Sequence, residues 1–175
     1  MRELVALAAD LGTTDRTLRR AIAQGLIHAE RRSPRTVELT AHERVYLRRY
    51  WSRLAQLRSV LRTEPNVETA ILFGSVARGT DHPGSDVDIL VSLRRDTPLA
   101  GAQLAARLHE TLDTPVQITR LSPALGSPGL LAEVLRDGRV LVERGDAWRK
   151  VTRRARAIER EADAELASAL ETIAG

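Results

Sequence analysis

Asp86 and Asp88 stand two positions apart at the head of the run Val87-Asp88-Ile89-Leu90-Val91. A strand sends alternate side chains to opposite faces, so the two carboxylates share one face while Val87, Ile89 and Val91 take the other. Two carboxylates on one face repel each other and lose solvation unless a cation lies between them. Magnesium suits such hard oxygen donors, completing its shell with water and phosphate. With ten residues between it and Asp86, a Gly74-Ser75 turn closes the apolar run Ala70-Ile71-Leu72-Phe73. Glycine permits close backbone approach and unusual torsions, so amides after it can face a phosphate, and the Ser75 hydroxyl adds one more hydrogen bond. The chemistry expected is metal-dependent handling of ATP or another nucleoside triphosphate. A lone Asp-x-Asp is a weak signal, and the bland reading is a β-turn before an acidic edge strand. Here the parts agree with one another. Arg78, three residues past the Gly-Ser turn, is a candidate to face the phosphates, with an ordinary surface arginine as the alternative. His82, in the intervening loop, is expected to be solvated.

Phe73-Gly74-Ser75-Val76-Ala77-Arg78-Gly79, then Ser85-Asp86-Val87-Asp88-Ile89-Leu90-Val91, resembles the signature of polymerase-β-like nucleotidyltransferases, especially the minimal nucleotidyltransferase branch. The resemblance spans about Val67 to Arg144. It implies that Gly74 and Ser75 cradle the triphosphate, and that Asp86 and Asp88 are catalytic metal ligands bringing a nucleophile to the α-phosphate by two-metal chemistry. One position departs from the pattern. The resemblance implies a third carboxylate on the next strand, where Thr114-Pro115-Val116-Gln117-Ile118-Thr119 has Gln117. A neutral amide neither accepts an acceptor's proton nor adds charge to a metal. Asp113 precedes the proline and is out of register to replace it.

These residues need elements to hold them. The 175 residues suit one or two small domains with a sizeable core. The chain has no cysteine, hence no disulfide or thiolate site. No apolar run approaches membrane-spanning length and the start is not a signal peptide, so the expected location is cytoplasmic. Charge is segregated along the chain. Residues 1–63 hold thirteen arginines against six acids, a balance of +7, whereas residues 64–147 hold eight against twelve, a balance of −4. A basic module joined to an acidic one points to nucleic acid as a partner of the first.

The expected architecture is α/β. It comprises a winged helix-turn-helix (1–40), a linker helix (41–63), a small mixed-sheet nucleotidyltransferase-like domain (64–145) and a single long C-terminal helix (146–175). Leu4–Leu11 reads as a helix, Gly12-Thr13-Thr14 as a tight turn, and Arg16–Gln24 as a second helix capped by Thr14 or Asp15. Arg16, Thr17, Arg19 and Arg20 then lie where a recognition helix meets the major groove. Leu26–Glu30 and Arg35–Leu39 read as a hairpin around Arg31-Arg32-Ser33-Pro34, so that Arg31, Arg32 and Arg35 form a basic wing for the DNA backbone or minor groove. This stretch resembles winged regulators, loosely the MerR-like kind; a solvated basic domain or a protein-docking module is the alternative. The linker helix is capped by Thr40, with Val45, Leu47, Leu54, Leu57 and Leu61 among its apolar positions, and Glu64-Pro65-Asn66 ends it. Pro98–Leu112, with Leu99, Leu104, Leu108 and Leu112 apolar, is a helix. Val116–Leu121 is a strand, Pro128–Leu135 a helix, Asp137-Gly138 a turn and Arg139–Glu143 a strand. From Asp146, residues Trp148, Val151, Ala155, Ile158, Ala162, Leu166, Ala169 and Ile173 form an apolar stripe, part for the sheet and the rest for a partner protein or a second copy.

The function expected from the resemblance is an antitoxin-like regulator that binds its own operator DNA. It would act on a cognate helical HEPN-type toxin, with transfer of AMP to that toxin as the chemistry. The alternatives are a stand-alone nucleotidyltransferase acting on RNA or a small molecule, and a degenerate regulator that only senses nucleotide. Mg2+ and an NTP are the expected cofactor and substrate, and a homodimer is allowed.

Overall fold

The computed structural model describes residues 2–33 and 36–174; the side chains of residues 2, 31–33, 36, 173 and 174 are not described. The chain forms two compact units divided after Ser59.

In the first unit, α1 (Arg2–Asp10) and α2 (Asp15–Ala23) are joined by a turn containing Gly12. Thr14 is the N-cap of α2, its hydroxyl accepting the Thr17 N–H at 3.1 Å. Strands β1 (Glu30–Ser33) and β2 (Thr36–Glu38) pair antiparallel, and α3 (Ala41–Thr63) follows. Thr40 caps α3 through the Glu43 N–H at 3.1 Å, and the buried Glu43 carboxylate accepts the His28 N–H at 3.1 Å. Leu7, Leu18, Ala21, Leu26, Ile27, Leu47, Leu54 and Leu57 are buried, as are Tyr46 and Tyr50, which stack at 4.6 Å.

Three expectations for this unit are corrected. Leu26 and Ile27 lie in a turn before the hairpin rather than in a strand, because both are wanted in the core. Arg31 and Arg32 fall within β1 rather than at a hairpin tip, while Arg35 lies outside the described residues. Val45 is 64% exposed, since Tyr46, Leu47 and Tyr50 supply the buried face of α3 at that level.

The second unit is built on a four-stranded sheet of order β5-β4-β3-β6, from β3 (Val67–Phe73), β4 (Val87–Leu93), β5 (Val116–Arg120) and β6 (Arg139–Glu143). Strand β3 pairs antiparallel with β4 and β6, while β4 and β5 run parallel, so the sheet is mixed. The parallel pair requires a crossover, which α5 (Pro98–Leu112) supplies. Gly101 of α5 lies against Ile118 and Arg120 of β5, and Leu104 and Leu108 are buried. Leu99, expected among its apolar positions, is 66% exposed in the first turn. Ile71, Phe73, Leu90 and Val140 form a core with Leu121 of α6 (Leu121–Ala124), Leu131 and Val134 of α7 (Pro128–Asp137), Trp148 and Val151 of α8 (Ala147–Arg153), and Ile158 of α9 (Ala155–Ala174).

The C-terminal stripe is not one helix. The backbone leaves helical geometry at Arg154 (φ −96°, ψ 6°), where the Arg154 N–H bonds to Val151 O and the Ile158 N–H restarts the ladder on Arg154 O. The core anchors of the stripe end at Ile158; from Asp163 to Thr172 every side chain is exposed. Arg144, past the end of β6, donates Nη1 to the carbonyls of Glu64 and Val67 at 2.8 Å each, and Nη2 to Arg62 O. It thereby caps the C-terminal end of α3, where helical carbonyls lack partners.

Candidate functional site

Phe73 is extended, and the chain then turns directly into a one-turn helix, α4 (Gly74–Arg78), so the expected Gly74-Ser75 turn is the first turn of a helix. Gly74 takes φ +73°, a region that other residues enter at a cost. A Cβ there would run into the carboxylate of Asp88. The Gly-Ser step is therefore glycine for two independent reasons, torsion and space. As the opening residues of α4, Gly74 and Ser75 carry main-chain N–H groups of the kind helices leave unused at their start.

Asp88 is held opposite Phe73 of β3 and opposite Gln117 of β5. It is half-buried, whereas Asp86, in the loop just before β4, is exposed. Burial pushes the Asp88 carboxyl above the ordinary aspartate range, and the negative charges of Asp86 and Glu133 push it further; the Arg78 guanidinium opposes them. A half-buried carboxylate beside a second one, against a glycine that leaves it room, is an electrostatic deficit that a cation relieves. The Asp86 and Asp88 donor set fits a hard divalent ion that completes its shell with water and phosphate oxygens. Among the described residues no third histidine or acid joins them to make a metal-binding group of three. Gln117 is exposed and stands beside Asp88 in parallel register.

Arg78 closes α4 and turns to α7. Its Nη1 donates to Glu133 Oε1 at 2.6 Å and lies 3.5 Å from Asp137 Oδ2. The Glu133 hydrogen bond holds the guanidinium firmly protonated. Glu133 was not legible as part of this site: it lies 55 residues from Arg78, and only the packing of α4 on α7 joins them. His82 stays in the loop, its main-chain N–H bonded to Ser85 Oγ at 3.0 Å.

In the first unit Arg16, Thr17, Arg19 and Arg20 all lie on the exposed side of α2, opposite Leu18 and Ala21. Arg19 pairs with Asp15 at 2.8 Å, and Thr17 Oγ1 lies 2.9 Å from Thr14 Oγ1, so two of the four are engaged within the helix start.

The chain matches the family "Polymerase beta, Nucleotidyltransferase" over residues 55–147, just over half of its length. It is 38% identical over 79 residues to the protein adenylyltransferase MntA of Shewanella oneidensis, a match covering 44% of this chain and 55% of that protein. The chain thus spans about half the length of that curated relative. Among solved structures, a toxin–antitoxin with AMP-PNP superposes with a TM-score of 0.58 at 25% identity, over 70% of this chain and 98% of that one. A tri-AMPylated Shewanella oneidensis HEPN toxin in complex with MNT antitoxin gives 0.54 at 21% identity, over 71% and 98%; at that identity the likeness is one of fold.

Proposed function

Because this chain belongs to the polymerase β nucleotidyltransferase family, we propose that residues 64–145 transfer AMP from ATP to a partner toxin, in an antitoxin-like regulator whose residues 1–40 bind operator DNA. The observation that carries the reading is Gly74 packed on the Asp88 carboxylate without room for a Cβ, which sets the phosphate turn and the acidic pair against one another. Support for the transferred group comes from the adenylyltransferase relative and the AMP-PNP complex. Support for a toxin as acceptor comes from that same complex, which is a toxin–antitoxin pair.

Asp86 and Asp88 would hold magnesium, which when bound neutralises charge on the phosphates and at the leaving pyrophosphate. The chain's own residues do the rest. Gly74 and Ser75 seat the triphosphate through main-chain amides and the Ser75 hydroxyl. Arg78, anchored by Glu133 and Asp137, supplies fixed positive charge beside them. The acceptor hydroxyl oxygen forms its bond to the α-phosphorus as the bond to pyrophosphate breaks. Gln117 cannot take the hydroxyl's proton, so the proton passes to solvent water as the ester bond forms.

On the DNA side, Arg16, Thr17, Arg19 and Arg20 form the contact face, joined by Arg31 and Arg32 of β1 and by Arg35. No described helix is long and apolar enough to cross a membrane, and we place the protein in the cytoplasm.

The test is transfer of label from α-labelled ATP to the product of the adjacent gene with magnesium present, repeated with Asp86→Ala and Asp88→Ala. Loss of label in both variants supports the roles, and equal labelling overturns them. Gln117 favours one second reading, a nucleotide-sensing regulator without turnover. ATP binding with no labelled acceptor would select it.

A further inference from the structure

A cavity of about 390 Å³ opens between α6, α7, α8 and α9, and none of Gly74, Ser75, Asp86 or Asp88 lines it. Leu121, Leu131, Val151 and Ile158 give it apolar walls, and Leu125 beside them is 53% exposed. Lys150 and Arg154 stand at its edge with mostly exposed side chains. Further along, α9 carries Leu166 at 62% and Leu170 at 60% exposure, one turn apart. A helical stretch buried against nothing draws little stability from its own hydrogen bonds. Two leucines on one face of such a stretch are a seam for a neighbour.

Charge selects the neighbour. Residues 147–160 hold six basic side chains against one acid, a balance of +5, while residues 161–174 hold four acids and no base, a balance of −4. We propose that this face is a twofold interface between two copies of the chain, the acidic distal half of each α9 laying Leu166 and Leu170 into the cavity of the other beside Lys150 and Arg154. Counted outward from Arg160, an antiparallel pairing sets Leu166 at the level of Arg154, where α9 meets α8, and carries Leu170 on toward Lys150 of α8. Such a contact is isologous and closes on itself. Parallel pairing would oppose acid to acid, which costs affinity. A foreign basic helix would match the acidic half and leave the cavity's cations unmatched. The cations' own partners, Asp146 at 3.1 Å and Glu161 at 3.7 Å, are exposed pairs of small worth and yield readily. The interface needs no nucleotide and stands apart from the transfer reaction.

Sedimentation equilibrium of the full chain tests it. The expected mass is twice 19.3 kDa, with a dissociation constant that rises with salt. Leu166→Gln with Leu170→Gln raises that constant about tenfold or more, because two apolar side chains lose their burial. Lys150→Glu with Arg154→Glu weakens the dimer similarly, and adding Glu165→Lys and Glu171→Lys, the acids beside Leu166 and Leu170, restores it. These sites are exposed, and far-UV circular dichroism of each variant should match the parent. A single-chain mass from micromolar to millimolar protein overturns the proposal. So does a dimer indifferent to the leucine pair, or a chain that doubles in mass only with a different protein.

Discussion

Replacing Gly74 by alanine separates two costs that coincide at the site. At φ +73° an alanine costs about 1–2 kcal/mol in torsion, offset by about 0.4–1 kcal/mol through the stiffer unfolded chain. The new Cβ would also sit 3.1 Å from Asp88 Cγ and 3.3 Å from Asp88 Cβ, besides meeting the carboxylate itself. Rotating the carboxylate alone does not move these atoms, so the Asp88 side chain must shift by a few tenths of an ångström and strain its torsions, at about 0.5–1.5 kcal/mol more. Gly84 is the control: it takes φ +92°, and nothing stands within 4 Å of a Cβ there. Gly84→Ala should therefore lower the melting temperature by about 2–4 °C, on the scale of 1 kcal/mol for a chain of this size, and Gly74→Ala by about twice that. The assay pairs thermal unfolding with label transfer from ATP. Gly84→Ala should retain transfer, while Gly74→Ala should fall to the level of Asp88→Ala, because the moved carboxylate would no longer hold the metal against the phosphates. Equal transfer by both glycine variants, or a Gly74→Ala protein as stable as Gly84→Ala, refutes the idea that Gly74 exists to make room for Asp88.

Asp88 has a raised proton affinity in the fold, so its contribution to stability is present below its unfolded pKa and is lost as pH rises through its folded one. Asp88→Asn should then melt higher than the parent at pH 7, with the gap closing toward pH 4, while transfer disappears; thermal scans across pH check this. Arg78→Ala should cost no more than about 1 kcal/mol of stability, since its Glu133 pair is about a third exposed, yet weaken ATP binding measured by calorimetry. Arg144→Ala removes the donor shared by the carbonyls of Arg62, Glu64 and Val67, which are exposed or part-buried, and should cost about 0.5–1.5 kcal/mol in urea unfolding. Arg16→Ala with Arg20→Ala should reduce the slope of log affinity against log salt for the chain's own promoter by about 0.9 for each phosphate no longer neutralised.

Much of the site is local in sequence, and the local part was legible. Gly74, Ser75, Asp86 and Asp88 all lie within fifteen residues, but β4 begins only at Val87, so strand alternation governs Asp88 and not Asp86, which stands in the loop before it. Gln117 was singled out by the family resemblance, and it stands opposite Asp88 in the sheet. What escaped was non-local. Glu133 reaches Arg78 across 55 residues. Arg144 reaches carbonyls 77 to 82 residues away. The break at Arg154 interrupts a stripe whose spacing continues through it, because helical periodicity counts residues and not the core they must reach.

The sequence alone determined the chemistry of the site: a Gly-Ser step closing a buried strand, and two carboxylates two positions apart at the head of the next. Those are properties of residue type and short spacing, which the backbone's two periodicities translate directly into geometry. Tertiary structure alone decided the electrostatic setting of that chemistry. Burial raises Asp88, and α7 brings Glu133 and Asp137 to hold Arg78 beside it. It also decided which half of the C-terminal stripe is core and which half is left to solvent, because burial is set by what lies opposite in space, and no spacing rule carries that information.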